Sequence, residues 1–205
     1  MVPLRYTALA RLATLALAFA LSACAGSIPK SSPMPIGALT MAPRGFIGFC
    51  EREAASCDDH GEVSGPVKLT AERWRQLNDI NVSINRAIQP ETDQDLYHQA
   101  EYWTYADKAG DCEDYALDKR RALTEQGWPV GSLLLTTARN EKGEMHAVLV
   151  VTTDHGDFVL DNANDFVTPW SELPYRWVAR QDRVAALAWH RAGTAPGTTG
   201  TASLQ

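Results

Sequence analysis

Apolar residues follow two different periods along the chain, and the change between them separates helices from a sheet. Leucines and isoleucines recur at spacings of three and four after Thr70, which predicts an amphipathic helix that stops before Pro90. A second helical pattern begins at Cys112 and ends at Gly127, with Asp111 in the N-cap position. Cys112 is therefore predicted to lie in the first turn of a helix.

After Trp128 the period becomes that of strands, with extended segments predicted at 132–138, 145–152 and 157–161. The middle segment is apolar on both of its faces, so we expect a sheet that is covered on both sides. The pattern predicts an α+β fold in which the helix that begins at Cys112 packs on an antiparallel sheet.

The N-terminal pattern is that of a targeting segment. Two arginines precede an apolar run, 12–21, that is too short to span a bilayer and ends in small residues, so residues 1–23 are predicted to be a signal peptide. Its end, Leu-Ser-Ala-Cys24, resembles a lipobox, in which the cysteine is acylated and becomes the mature N-terminus. The alternative is ordinary cleavage near Ala23 or Ala25, which would release a soluble periplasmic protein.

Composition divides the remaining chain. Residues 24–45 are rich in proline, serine and glycine and are predicted to be a flexible linker, 46–191 the folded domain, and 192–205 a disordered tail. A length of 205 residues with 45% hydrophobic content suits one domain with appendages. The net charge of −6 argues against a nucleic-acid partner.

The cysteines have different predicted roles. Cys50 and Cys57 lie seven positions apart, and in an oxidising compartment a disulfide that closes a short loop is the expected pairing. If Cys24 is acylated, Cys112 remains as the free thiol, and an unpaired cysteine in an exported protein requires an explanation.

Two opposing influences act on the Cys112 thiol. The partial positive charge of a helix N-terminus favours the thiolate, which is the nucleophilic form. The neighbouring acids Asp111, Glu113 and Asp114 oppose a further negative charge. This conflict predicts a neutralising group, either a base beside the thiol or a bound cation.

A base is available from the strands. If the hairpin turn is centred on Thr153–Asp154, His146 lies directly opposite Asp161, within reach of an imidazole–carboxylate hydrogen bond. A turn centred on His155–Gly156 would place Asp161 opposite Val150 instead. With the first register, Cys112, His146 and Asp161 form the set needed for thiol catalysis, in which His146 accepts the thiol proton and Asp161 orients the ring.

The chain resembles the bacterial transglutaminase-like cysteine peptidases over most of its predicted folded part. Five blocks carry the likeness: 79–85 (DINVSIN), 110–116 (GDCEDYA), 119–121 (KRR), 146–149 (HAVL) and 159–162 (VLDN). The resemblance implies a papain-like, transglutaminase-like α+β core with a catalytic Cys112, His146 and Asp161.

Within that family the LapG-type proteases are periplasmic, need calcium and release large biofilm adhesins. The resemblance therefore implies calcium bound by Asp111 and Glu113, the acids on either side of the cysteine. It also implies a protein substrate, such as a surface adhesin, and an inner-membrane receptor as regulatory partner.

The resulting hypothesis is an exported cysteine endopeptidase, periplasmic and anchored to the membrane if Cys24 is acylated. Acyl transfer to an amine is the enzymatic alternative, because the same acyl-enzyme can be intercepted by a lysine. A non-catalytic, calcium-stabilised envelope binding module is the alternative from another class, although an intact triad argues against it.

Overall fold

The computed structural model describes residues 28–61 and 66–193. The predicted signal peptide, Cys24 and residues 194–205 of the predicted tail lie outside these ranges.

Within the described residues, the α-helices come before most of the strands. The helices are α1 (Arg44–Arg52), α2 (Ala71–Ala87), α3 (Asp93–Tyr97) and α4 (Cys112–Glu125). The strands are β1 (Ile36–Thr40), β2 (Gln89–Pro90), β3 (Ala109–Gly110), β4 (Leu133–Arg139), β5 (Met145–Thr153), β6 (Gly156–Asp161), β7 (Asn164–Pro169), β8 (Arg176–Gln181) and β9 (Trp189–Ala192).

The main sheet has seven strands in the order β1-β9-β8-β4-β5-β6-β7, and every neighbouring pair is antiparallel. Strands β2 and β3 form a separate parallel pair directly before α4. The α+β architecture, with Cys112 at the start of a helix that packs on the antiparallel sheet, is as predicted.

Both faces of the sheet are covered, which confirms the expectation drawn from the apolar middle strand. Ala147, Leu149 and Val151 of β5 pack into the main core on the side of α2 and α4. Val148 and Val150 face a smaller apolar cluster on the opposite side. Burial of one such side chain contributes about 1.5–3 kcal/mol, so the two faces together fix β5 in place.

The two predicted helices are confirmed, and their local causes are visible. The Thr70 hydroxyl accepts a hydrogen bond from the Arg73 amide at 3.2 Å and caps α2. Helix α4 ends at Glu125, and Gly127 follows with φ of +82°, a left-handed conformation that glycine adopts without strain.

The prediction of a flexible linker over residues 24–45 is wrong from residue 36 onward, and the folded domain begins before residue 46. Strand β1 pairs with β9 at the edge of the sheet. The preceding segment is also held, because the Ser31 amide donates to the His155 carbonyl at 2.8 Å and the Met34 amide donates to Asp157 Oδ2 at 2.8 Å. Pro35 and Pro43 lie outside β1 itself, so they remove no hydrogen bond from this strand.

The C-terminal boundary differs slightly from the predicted one. Strand β9 extends through Ala192, and the Gly193 amide donates to the Pro35 carbonyl at 2.9 Å. The segment that follows Asp161 forms three further strands, β7 to β9, which are not among the strands predicted from the sequence.

The predicted hairpin register is wrong by two residues. Strand β5 pairs with β6 so that Thr153 lies opposite Gly156 and Leu149 opposite Leu160, which centres the turn on residues 154–155. Continued by one step, this register sets Asp161 opposite Val148, two positions from His146. A shift of two residues keeps every side chain on its face, so His146 and Asp161 remain diagonal neighbours.

In the ranges that the structure describes, the helices are all too short or too polar to cross a membrane.

Candidate active site

Cys112 is the first residue of α4 and meets strand β5 at the base of a cleft. The Ala147 amide donates a hydrogen bond to Cys112 Sγ at 3.3 Å, and the thiol donates to Glu113 Oε2 at 3.1 Å. The sulfur is thereby held at the backbone of Ala147, the residue that directly follows His146.

In the absence of a bound cation, burial favours the neutral form of the Cys112 thiol. The pKa of Cys112 lies well above its ordinary value, first because the sulfur is buried and second because it faces the Glu113 carboxylate. A helix N-terminus contributes only about 0.3–1 kcal/mol in favour of the anion, whereas full burial can raise a pKa by up to about 5 units. The acids and burial therefore outweigh the helix dipole.

His146 and Asp161 are brought together as the sequence predicts, despite the shifted register. The imidazole Nε2 lies 2.8 Å from Asp161 Oδ1. Burial alone would raise the pKa of Asp161, but the hydrogen bond and the charge of His146 hold it below its ordinary value. With Nε2 directed at the carboxylate, Nδ1 is the nitrogen left for a proton from another group.

Cys112 and His146 line a common cleft. A cavity of about 300 Å³ on one side is walled by Met41, Trp103 and Val178. An open depression on the other side is lined by Asp111 and by several further polar residues. Cys112 and His146 line both the cavity and the depression, so they lie where the two meet.

Four carboxylates converge behind the cysteine. Ligand oxygens of Asp93, Asp111 and Asp114 lie within 4.8 Å of one another, as do those of Asp111 and Glu113 together with the Cys112 sulfur. Asp111 occupies the N-cap position, but its side chain does not cap the helix and instead accepts from the Asp93 amide at 3.4 Å. Asp111 is thus turned toward the other acids.

Several oxygens of these carboxylates lack partners within the described residues. Asp93 Oδ1, Asp111 Oδ1 and Asp114 Oδ2 are buried there without a hydrogen-bond partner. Burial, followed by the charge of Asp111, raises the pKa of Glu113 to about 9, and burial raises that of Asp114 to about 8. A set of buried, unpartnered carboxylate oxygens fits a hard divalent cation.

Asp93 is a member of this cluster that the sequence prediction missed. It lies eighteen positions before Asp111, in the short helix α3, and no local motif joins the two residues. The pattern of an acid in the first turn after Thr92 is typical of simple helix capping, so it gave no signal of a site.

The other predicted cysteine sites are accounted for as follows. Cys50 and Cys57 form a disulfide that ties the end of α1 to the turn that follows it. Cys112 is the free cysteine of the described part of the chain.

The sequence model of the bacterial transglutaminase-like cysteine proteinases matches residues 36–195. The chain therefore belongs to this family and is a cysteine peptidase, an enzyme class whose substrates are proteins. No curated protein matches the chain.

Solved structures of LapG from Legionella pneumophila are similar to the chain. One LapG chain is 27% identical with a TM-score of 0.45, and the match covers 53% of this chain and 64% of that one. Its calcium-bound form is 23% identical with a TM-score of 0.48, covering 68% and 75%. The chain thus spans less than two thirds of the first LapG structure, and the family assignment rests on the sequence match.

Lys119, on the far side of α4 from solvent, gives a test of the electrostatics beneath the site. Its ammonium is fully buried and has no hydrogen-bond partner among residues 28–61 and 66–193, and burial lowers its pKa to about 7 despite the charges of Asp161 and Asp165. Between about pH 7 and its ordinary pKa, the unfolded chain therefore holds a proton that the folded chain has released, so Lys119 makes stability rise with pH.

We predict that Lys119→Met removes this rise. The free energy of unfolding of the unaltered protein should increase with pH relative to that of the variant between pH 7 and 9, by up to about 1.4 kcal/mol per unit. Urea titrations at several pH values measure the difference in free energy of unfolding between the two proteins. The nearby acids are the same in both proteins, so their contributions cancel in this difference. Lys142→Met, at an exposed loop position, is the matched control and should parallel the unaltered protein. Parallel curves for Lys119→Met would contradict the prediction.

Proposed function

We propose that this cysteine peptidase is an exported endopeptidase that cuts an envelope or surface protein with Cys112, His146 and Asp161. The observation that carries the proposal is the 2.8 Å contact between His146 Nε2 and Asp161 Oδ1 in the cleft that His146 shares with Cys112. A nucleophile, a base and a group that orients the base are the components of thiol catalysis.

In this mechanism each residue moves or holds a defined proton. His146 Nδ1 accepts the Cys112 proton, and the thiolate attacks the carbonyl carbon of the scissile peptide bond. The oxyanion faces the amides at the start of α4, including that of Cys112. His146 then delivers its proton to the leaving amine, and water activated by the same imidazole hydrolyses the acyl-enzyme. Asp161 keeps Nε2 protonated throughout.

Calcium belongs to the same proposal. Asp93, Asp111, Glu113 and Asp114 would hold the ion, since their buried oxygens are the hard donors that calcium prefers. Bound calcium would supply the positive charge that offsets the repulsion between these carboxylates and a Cys112 thiolate. The existence of a calcium-bound LapG structure supports the proposal.

The substrate and the location follow from the resemblance to LapG-type proteases. We infer an extended segment of a large surface adhesin as substrate, an inner-membrane receptor as regulator, and a periplasmic location. If Cys24 is acylated, the seven residues to Ser31 span at most about 25 Å, so the domain would stay close to the bilayer. That anchor would restrict the substrates within reach.

The first prediction from this proposed function concerns His146 as the base. At pH 7 with calcium, a thiol-directed alkylator should modify Cys112 rapidly, and His146→Ala should slow the reaction about 100-fold or more, because the imidazole no longer accepts the thiol proton. The rate is read by mass spectrometry of the Cys112 peptide. His155→Ala, remote from the cleft, is the matched control. Equal rates in all three proteins would contradict the proposed triad and favour a binding module.

The second prediction concerns the metal. Calcium at 100 times its dissociation constant should stabilise the protein by about 2.7 kcal/mol and raise its melting temperature, and a chelator should reverse the shift. Asp93→Asn should abolish most of the response, whereas Asp95→Asn, an exposed acid on the same helix, should retain it. Differential scanning calorimetry measures both. A melting temperature that ignores calcium and chelator would exclude the site.

A further inference from the structure

The outer face of the sheet carries a row of aromatic rings that ends at the catalytic histidine. Tyr175 packs edge-on against His146 with ring centroids 5.5 Å apart, and its other side meets Trp177 at 5.7 Å. Trp177 in turn meets Trp170 at 6.3 Å. The indole of Trp170 donates to the Ser32 carbonyl at 2.8 Å, which ties the row to the N-terminal segment. The Tyr175 ring therefore packs between the Trp177 indole and the His146 imidazole.

The Tyr175 hydroxyl has one defined task in this arrangement. It donates to Asp161 Oδ2 at 2.7 Å, while Asp161 Oδ1 receives His146 Nε2 at 2.8 Å and the Ala163 amide at 2.9 Å. Oδ1 of the buried carboxylate thus accepts two hydrogen bonds and Oδ2 accepts one, each from a different donor. Burial, followed by this hydrogen bond to Asp161, raises the pKa of Tyr175, so the phenol stays a donor.

This division matters because a carboxylate turns easily about its terminal torsion. Without a donor on Oδ2, rotation would exchange the two oxygens or draw the carboxylate out of the plane in which it meets Nε2. A hydroxyl held by two neighbouring rings stops that rotation. The orientation of Asp161 then selects the His146 tautomer that leaves Nδ1 free to accept the thiol proton.

We propose that Tyr175 is a positioning residue of the triad, which holds Asp161 through its hydroxyl and His146 through its ring. The proposal rests on the proposed function, in which His146 is the base. This role is inferred from the three-dimensional contacts of Tyr175 and not from a sequence motif.

The test is Tyr175→Phe, which removes the hydroxyl and keeps the ring contacts. With calcium present, alkylation of Cys112 should slow about tenfold, the loss expected for one hydrogen bond to a charged group. The proton resonance of His146 Nε2, assigned by its absence in His146→Ala, should shift or broaden. Tyr105→Phe, which removes a hydroxyl bonded to Ser56 at 2.9 Å, is the matched control and should change neither readout.

If Tyr175→Phe does not fold, a second variant tests the same inference. 3-Fluorotyrosine at position 175 keeps the ring and has a more acidic hydroxyl, so it should shift the His146 Nε2 resonance in the folded protein. An unshifted resonance in this protein overturns the inference, as does a folded Tyr175→Phe with the alkylation rate and resonance of the unaltered protein. If instead the unaltered protein and His146→Ala are alkylated equally fast, the proposed function itself fails.

Discussion

The cleft depends on the packing of helix α4 against strand β5, because this contact fixes the Cys112 thiol relative to the strand that carries His146. The amide of Ala147 donates to Cys112 Sγ, so the strand that carries His146 directly holds the sulfur at the helix start. The strand is in turn held by apolar side chains on both of its faces. The proposed mechanism, which needs a thiol and an imidazole in reach of one another, thus relies on a strand that is packed on both faces.

The packing of α4 against β5 also disfavours the Cys112 thiolate. Burial and the Glu113 carboxylate raise the pKa of Cys112, and a helix dipole is too weak to compensate. Behind Glu113, three further carboxylates contribute buried oxygens that have no hydrogen-bond partner in the described part of the chain. A cation in this cluster and a base at His146 would act on the same quantity, the free energy of the thiolate, from opposite sides of the sulfur.

Local patterns in the sequence predicted the helices, the central strands, the position of Cys112 at a helix start and the contact between His146 and Asp161. His146 and Asp161 came together even though the predicted turn was displaced, because a two-residue shift preserves the face of each side chain. Strand β1 was missed because its flanking prolines are typical of a linker, and its partner β9 lies at the other end of the chain. Asp93 and Tyr175 were missed for a related reason. Their roles arise from contacts across many residues, for which a single sequence gives no local period or motif.

The central claim is that Cys112 forms a covalent acyl-enzyme with the help of His146. The most direct test mixes the calcium-loaded protein with 4-nitrophenyl acetate and locates the acyl group by mass spectrometry of peptides at successive times. The account predicts acetylation of Cys112 that forms and then decays by hydrolysis, and that forms far more slowly in His146→Ala. Acetyl groups found only on surface lysines, or a Cys112 adduct that forms equally fast without the imidazole, would contradict it.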